Sequence, residues 1–143
     1  MKIRIKLENG GKLPVYKTNN SAGCDLHANI ESPITLMPLE RVLVPTGLYL
    51  EIPQGYEAVV RPRSGRALKE GLTVLNTPGT IDSDYRGEVG VILINLSKED
   101  ITIAPNSRIA QMVFAKYEKV GFILSDHLND TERTGGFGST GLN

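Results

Sequence analysis

The sequence predicts an all-β domain, a sandwich or barrel with one short helix. Three observations carry that reading. Apolar and β-branched residues fall in short extended runs. Turn residues recur about every ten positions, at "NGG", "IPQG", "NTPG", "SKED" and "APNS". No amphipathic stretch is long enough to form the helix of a βαβ crossover.

Taken in order, "KIRIKL" (2–7) alternates charged and apolar residues with the period of two of a half-buried strand. "RVLVPTGLYLEI" (41–52) and "YEAVVRP" (56–62) are strand-forming runs bounded by Pro and Gly. "SGRALKEG" (64–71) is where a helix fits: Ser64 stands at a capping position, 67–70 favour helix, and Gly71 ends it after little more than a turn. "EVGVILIN" (88–95), "RIAQMVFAKY" (108–117) and "GFILS" (121–125) are three further strands. After Leu124 the apolar content ends, so residues 1–124 read as the β domain and 125–143 as a mobile tail belonging to it.

A chain of 143 residues suits one domain with one core. Its 16 basic and 16 acidic side chains cancel, so no basic field is available to hold a nucleic-acid backbone. No run approaches the roughly 20 apolar residues of a membrane span, and the start does not have the pattern of a signal peptide. A single cysteine, Cys24, allows no internal disulfide and fits a reducing, cytoplasmic setting.

Three stretches carry chemistry. In the tail, Gly136, Gly138 and Gly141 have dinucleotide-fingerprint spacing, but that motif opens a helix and only two residues follow. What remains is a glycine-rich segment whose backbone donors and hydroxyls can wrap an anion, with Phe137 offering a flat face to a base. "DSDYRGEVGVIL" begins like a calcium loop, yet Leu93 stands where the bidentate Glu is needed. An extended segment there would point Asp82 and Asp84 to one face; an Asx turn ahead of strand 88–95 is the structural alternative. "RPRSGRALKEG" sets Arg61, Arg63 and Arg66 around Ser64 and Gly65 at a helix start, which suits an anion by charge and geometry, against the alternative of solvated surface arginines. His27 and His127 lack metal-spaced partners and read as incidental surface residues.

Read together, "AGCDLHA" (22–28), "RPRSGRA" (61–67), "NTPGTIDSDYRGEVGVILIN" (76–95), "RIAQMVF" (108–114) and "RTGGFGSTG" (133–141) resemble, in order and spacing, the five motifs of the trimeric dUTPase family. The resemblance implies a jelly-roll-like distorted β-barrel in a homotrimer, with intersubunit sites each closed by a neighbour's C-terminal arm. It also implies hydrolysis of dUTP to dUMP and pyrophosphate with Mg²⁺ on the triphosphate, keeping uracil out of DNA and supplying dUMP for thymidylate synthesis. Asp82 matches the carboxylate that activates water. Asn76 with the backbone of the 76–82 hairpin, including Gly79, Thr80 and Ile81, matches the uracil reader, and Tyr85 the platform under deoxyribose. Arg63, Ser64, Gly65 and Gln111 match phosphate binders, joined by Arg133, Ser139 and Thr140, while Phe137 and Gly138 belong to the lid over the base. Asp25 matches a carboxylate that holds a metal-bound water.

Two positions depart from the family pattern. Arg133 and Phe137 are separated by one residue fewer than usual, and Arg66, expected here to face solvent, replaces an apolar residue. Of the rivals, a dCTP deaminase would need a glutamate where Ile92 stands. A non-catalytic nucleotide-binding module would have no use for Asp82.

Overall fold

The computed structural model describes residues 1–132, 135 and 136. The chain runs β1 (Arg4–Leu7), β2 (Val15–Tyr16), β3 (Gly23–His27), β4 (Ile34–Leu36), β5 (Arg41–Glu51), β6 (Tyr56–Arg61), α1 (Ser64–Glu70), β7 (Leu72–Val74), β8 (Gly79–Ile81), β9 (Glu88–Asn95), β10 (Ile101–Ile103) and β11 (Arg108–Lys116). One sheet has the order β1-β5-β9-β7, a second β2-β3-β11-β6-β8, and β4 pairs with β10. Every pairing is antiparallel. This is the expected all-β, jelly-roll-like barrel with one short helix.

Period-two alternation builds the core. In β9, Val89, Val91, Leu93 and Asn95 turn inward while the residues between them do not. They meet Val44, Leu48 and Leu50 of β5 and Leu26, Ile109 and Met112 of the second sheet. Asn95, fully buried, has both ends of its amide satisfied. Nδ2 donates to Leu36 O (2.9 Å) and Glu99 O (2.8 Å), and Oδ1 accepts from Ser97 N and Oγ (both 2.8 Å).

The pattern reading departs from the structure in four places. β1 buries none of its side chains, because it is an edge strand laid on the far half of β5. The cap of α1 is Arg63, with Ser64 already inside the helix; Gly71 ends it as expected, in the left-handed region at φ 71°. The 76–82 segment is not a hairpin: β7 pairs with β9 and β8 with β6, so the chain crosses from one sheet to the other through a turn holding a cis Thr77–Pro78 bond. Residues 121–125 form no strand, and Phe122, Ile123 and Leu124 are 93–100 % exposed, because no strand among the described residues lies beside them.

Candidate active site

The anion-receptive residues gather where β3, β11 and β6 lie side by side. Asp25, Gln111 and Arg61 occupy one register line across the three strands. Asp25, 7 % exposed, is clamped between two guanidinium groups: Arg63 Nε lies 3.2 Å from Oδ1 and Arg108 Nη1 donates to Oδ2 at 3.0 Å. Gln111 donates from Nε2 to Pro62 O at 3.0 Å, which ties it to the segment leading into α1. Its side chain lies across Gly23, where any Cβ would run into Oε1. Ser64 and Gly65 are exposed in the first turn of α1, where backbone N–H groups have no partner within a helix.

Arg108 belongs to this cluster and spacing hides it. Two residues lie between it and Gln111, an offset that in a regular strand puts the pair on opposite faces. A β-bulge between Arg108 and Ala110 inserts one residue, so both come to the Asp25 face. Arg66 neither faces solvent nor reaches toward this cluster. Its guanidinium folds back on Glu70 (Nε–Oε2 2.9 Å) and its side chain is only 14 % exposed, because the pair spans one helical turn. Arg61 and His127 are exposed, whereas His27 is half-buried in β3 and burial lowers its pKa.

The other predicted residues form a second group around β8. This strand ends its sheet, so one row of its backbone groups has no sheet partner among the described residues. Asn76, exposed, lies over the buried Gly79, where a Cβ would come 3.3 Å from its Nδ2. A cavity of about 180 Å³ has Thr80, Ile81, Asp82, Tyr85 and Glu88 among its walls. That volume suits a nucleoside fragment rather than a whole nucleotide, since complete ligand sites run to roughly 300–1,000 Å³. Residues 82–85 form a turn closed by Tyr85 N donating to Asp82 O at 3.2 Å, so Asp82 and Asp84 do not sit in an extended segment. Both are exposed, and Arg86 straps the turn through Ser83 O (2.7 Å) and Tyr85 O (2.9 Å). The Tyr85 hydroxyl donates to Glu88 O at 3.0 Å.

Asp82 and the phosphate-receptive residues lie at opposite ends of β6. Gly79 pairs with Val60 and Ile81 with Ala58, so Asp82 emerges level with Glu57, whereas Arg63 lies beyond Arg61. Six residues of extended chain span roughly 20 Å. One chain therefore does not bring Asp82 to Arg63, Asp25 and Gln111. Arg133, Phe137, Gly138, Ser139 and Thr140 lie outside the described residues.

Among the described residues no three His, Cys, Asp or Glu side chains converge on one point. Asp25 has both oxygens engaged by arginines, which does not suit direct ligation of Mg²⁺; each oxygen keeps a second lone pair able to accept from a metal-bound water. No helix among the described residues is long and apolar enough to cross a membrane.

Comparison with known proteins gives the family and the fold. The dUTPase family model matches residues 9–141. Deoxyuridine 5'-triphosphate nucleotidohydrolases of Fusobacterium nucleatum subsp. nucleatum and Treponema denticola are each 57 % identical, over 98 % and 99 % of both chains respectively. The fold is similar to that of the Staphylococcus bacteriophage 80alpha dUTPase solved with dUPNHPP (TM-score 0.88, 24 % identity, 99 % of each chain). It is also similar to that of a phage phi11 dUTPase of S. aureus solved to describe coordination of a structural Mg(II) ion (TM-score 0.81, 20 % identity, 91 % of this chain and 100 % of that one).

Proposed function

The chain belongs to the dUTPase family, and with that as premise we propose how its residues hydrolyse dUTP to dUMP and pyrophosphate. The observation that carries the proposal is the separation of the two groups along β6. A nucleoside cavity with a carboxylate at its rim and a phosphate cradle out of its reach become one site when copies of the chain face each other. The assembly is a homotrimer, in which one copy supplies the cavity, a neighbour supplies the cradle, and the tail 125–143 of a copy closes the result.

In such a site the free backbone edge of β8, at Gly79, Thr80 and Ile81, reads the donor and acceptor pattern of uracil together with Asn76. Cytosine reverses that pattern and leaves buried groups unpaired, which discriminates more strongly than a methyl group does. Tyr85 packs on the deoxyribose where a 2′-hydroxyl would collide. Arg63, Ser64, Gly65 and Gln111 hold the triphosphate, with Arg133, Ser139 and Thr140 added from the tail, while Phe137 and Gly138 cover the base. Asp82 takes a proton from the water that attacks the α-phosphorus in line with the pyrophosphate leaving group. Mg²⁺ bound to the triphosphate would neutralise charge on its oxygens, with Asp25 accepting a hydrogen bond from one of its waters. Lid closure excludes solvent and strengthens every charge interaction inside. The lone buried thiol, Cys24, supports a reducing cytoplasmic setting.

The test is pyrophosphate release from dUTP, dCTP, dTTP and UTP, with and without Mg²⁺, beside Asp82→Asn. The expected result is strong selectivity for dUTP, and in the mutant a loss of turnover of about 10²–10⁴-fold with analogue binding kept. Ammonia release from dCTP, or binding without hydrolysis in the unaltered protein, refutes the proposal. Removing residues 131–143 is expected to depress turnover far more than thermal stability.

A further inference from the structure

We propose that Glu88 is a positioning residue: it fixes Tyr85, and through Tyr85 the exclusion of ribonucleotides. This rests on the reading of Tyr85 as the sugar platform, and it concerns a residue that touches no reacting atom.

Glu88 makes two separate attachments. Its carboxylate Oε1 accepts from Thr46 N (3.1 Å) and Gly47 N (2.6 Å), two successive backbone donors where the β5–β9 register breaks between Pro45 and Tyr49. Its carbonyl accepts from the Tyr85 hydroxyl at 3.0 Å. The β5 side of this attachment has nowhere to go. Gly47 sits at φ 66°, and a Cβ there would lie 2.6 Å from Asn29 Nδ2 and 2.8 Å from Gly11 Cα, so the bulge is packed against the Asn29 side chain and the Gly11 backbone. Thr46 Oγ1 donates to Val89 O, pinning the next residue of β9 as well.

The Tyr85 backbone is held in its turn by Asp82 O and Arg86, and its side chain is the exposed part. Its ring is 46 % exposed, it follows a surface turn, and it lies over Gly87, which has no side chain to brace it. The phenol is held by the Glu88 carbonyl, and the Glu88 backbone is held against β5 both by its register with Tyr49 and by the carboxylate grip on Thr46 and Gly47. Loss of the carboxylate leaves two bulge N–H groups without their acceptor and loosens the peptide that anchors the ring. A ring free to tilt admits a 2′-hydroxyl.

The experiment compares kcat/KM for dUTP and UTP in the unaltered protein, Glu88→Ala, Glu88→Gln, Tyr85→Phe and Tyr85→Ala. A fall of about tenfold in the dUTP/UTP ratio is expected in Glu88→Ala, with recovery in Glu88→Gln, whose amide oxygen keeps the acceptor. Tyr85→Phe, which keeps the ring and loses the hydrogen bond, should lower the ratio likewise, and it answers the question if Glu88→Ala fails to fold. A purely structural role would lower stability and leave the ratio alone, and that outcome overturns the inference. An unchanged ratio in Tyr85→Ala as well would instead remove the sugar-platform reading beneath it.

Discussion

Gly23 carries no side chain, and Gln111 depends on that. A methyl at Gly23 would occupy the position of Gln111 Oε1 and push the amide off Pro62 O. Gly23→Ala is therefore expected to raise KM for dUTP by about tenfold with a small change in melting temperature, as read by steady-state kinetics beside thermal unfolding. Next to it, burial pushes the Cys24 thiol up from its ordinary pKa, and the thiol donates to Met112 O at 3.3 Å. Its stabilising effect is present below the unfolded thiol's pKa of about 8.5 and is lost as pH rises beyond it. Cys24 should resist alkylation at pH 8 in the native protein and react fully in denaturant. At this scale, the placing of Asp82 and Tyr85 at one cavity was legible because their motif is contiguous in sequence. Arg108 was not, since only the bulge brings it to the face of Asp25. The inward fold of Arg66 had a signal in the sequence: in "SGRALKEG" Glu70 stands four residues after Arg66, one helical turn away.

The elements show what pattern can and cannot say. Gly71 marked the end of α1 in the sequence and does so by necessity. At φ 71°, with Ser97 N and Cβ 3.0 Å from where its own Cβ would be, no other residue fits without strain. Gly71→Ala should cost about 1–2 kcal/mol of stability, measured by denaturant unfolding. Long strands such as β5 and β9 were legible because runs of eight or more residues rich in β-branched and apolar side chains, bounded by turn residues, leave little ambiguity. Three-residue strands such as β4 and β10 were not, because each is defined by the other across 67 positions of chain and not by its own composition. The same limit explains residues 121–125, whose composition favours a strand while strand formation requires a neighbour. It also explains β7 and β8, close in sequence yet committed to different sheets.

For the whole molecule, a complementation experiment follows from the span of β6. Arg63→Ala removes the phosphate cradle and leaves the cavity of the same chain intact, and Asp82→Asn does the reverse. Each variant alone should be nearly inactive. Dissociated, mixed in equal amounts and reassembled, they should recover roughly a quarter of the sites, because a site that draws on two different copies is whole when each contributes its undamaged half. No recovery on mixing would mean that both halves come from one chain. The fold was legible from the sequence at the level of class, whereas the sharing of a site between copies was implied by the family resemblance and by no strand pattern. That property lies in the register of two strands, and residue order does not record register.

The span of β6 also has a genetic consequence. In a cell that makes an altered and an intact version of this chain together, the damage is not confined to the altered copies, because intact ones lend them half of every shared site. A substitution at Arg63 or Asp82 then silences one site for each altered copy, in proportion to dosage and no further, and the silenced site can be one whose other half is intact.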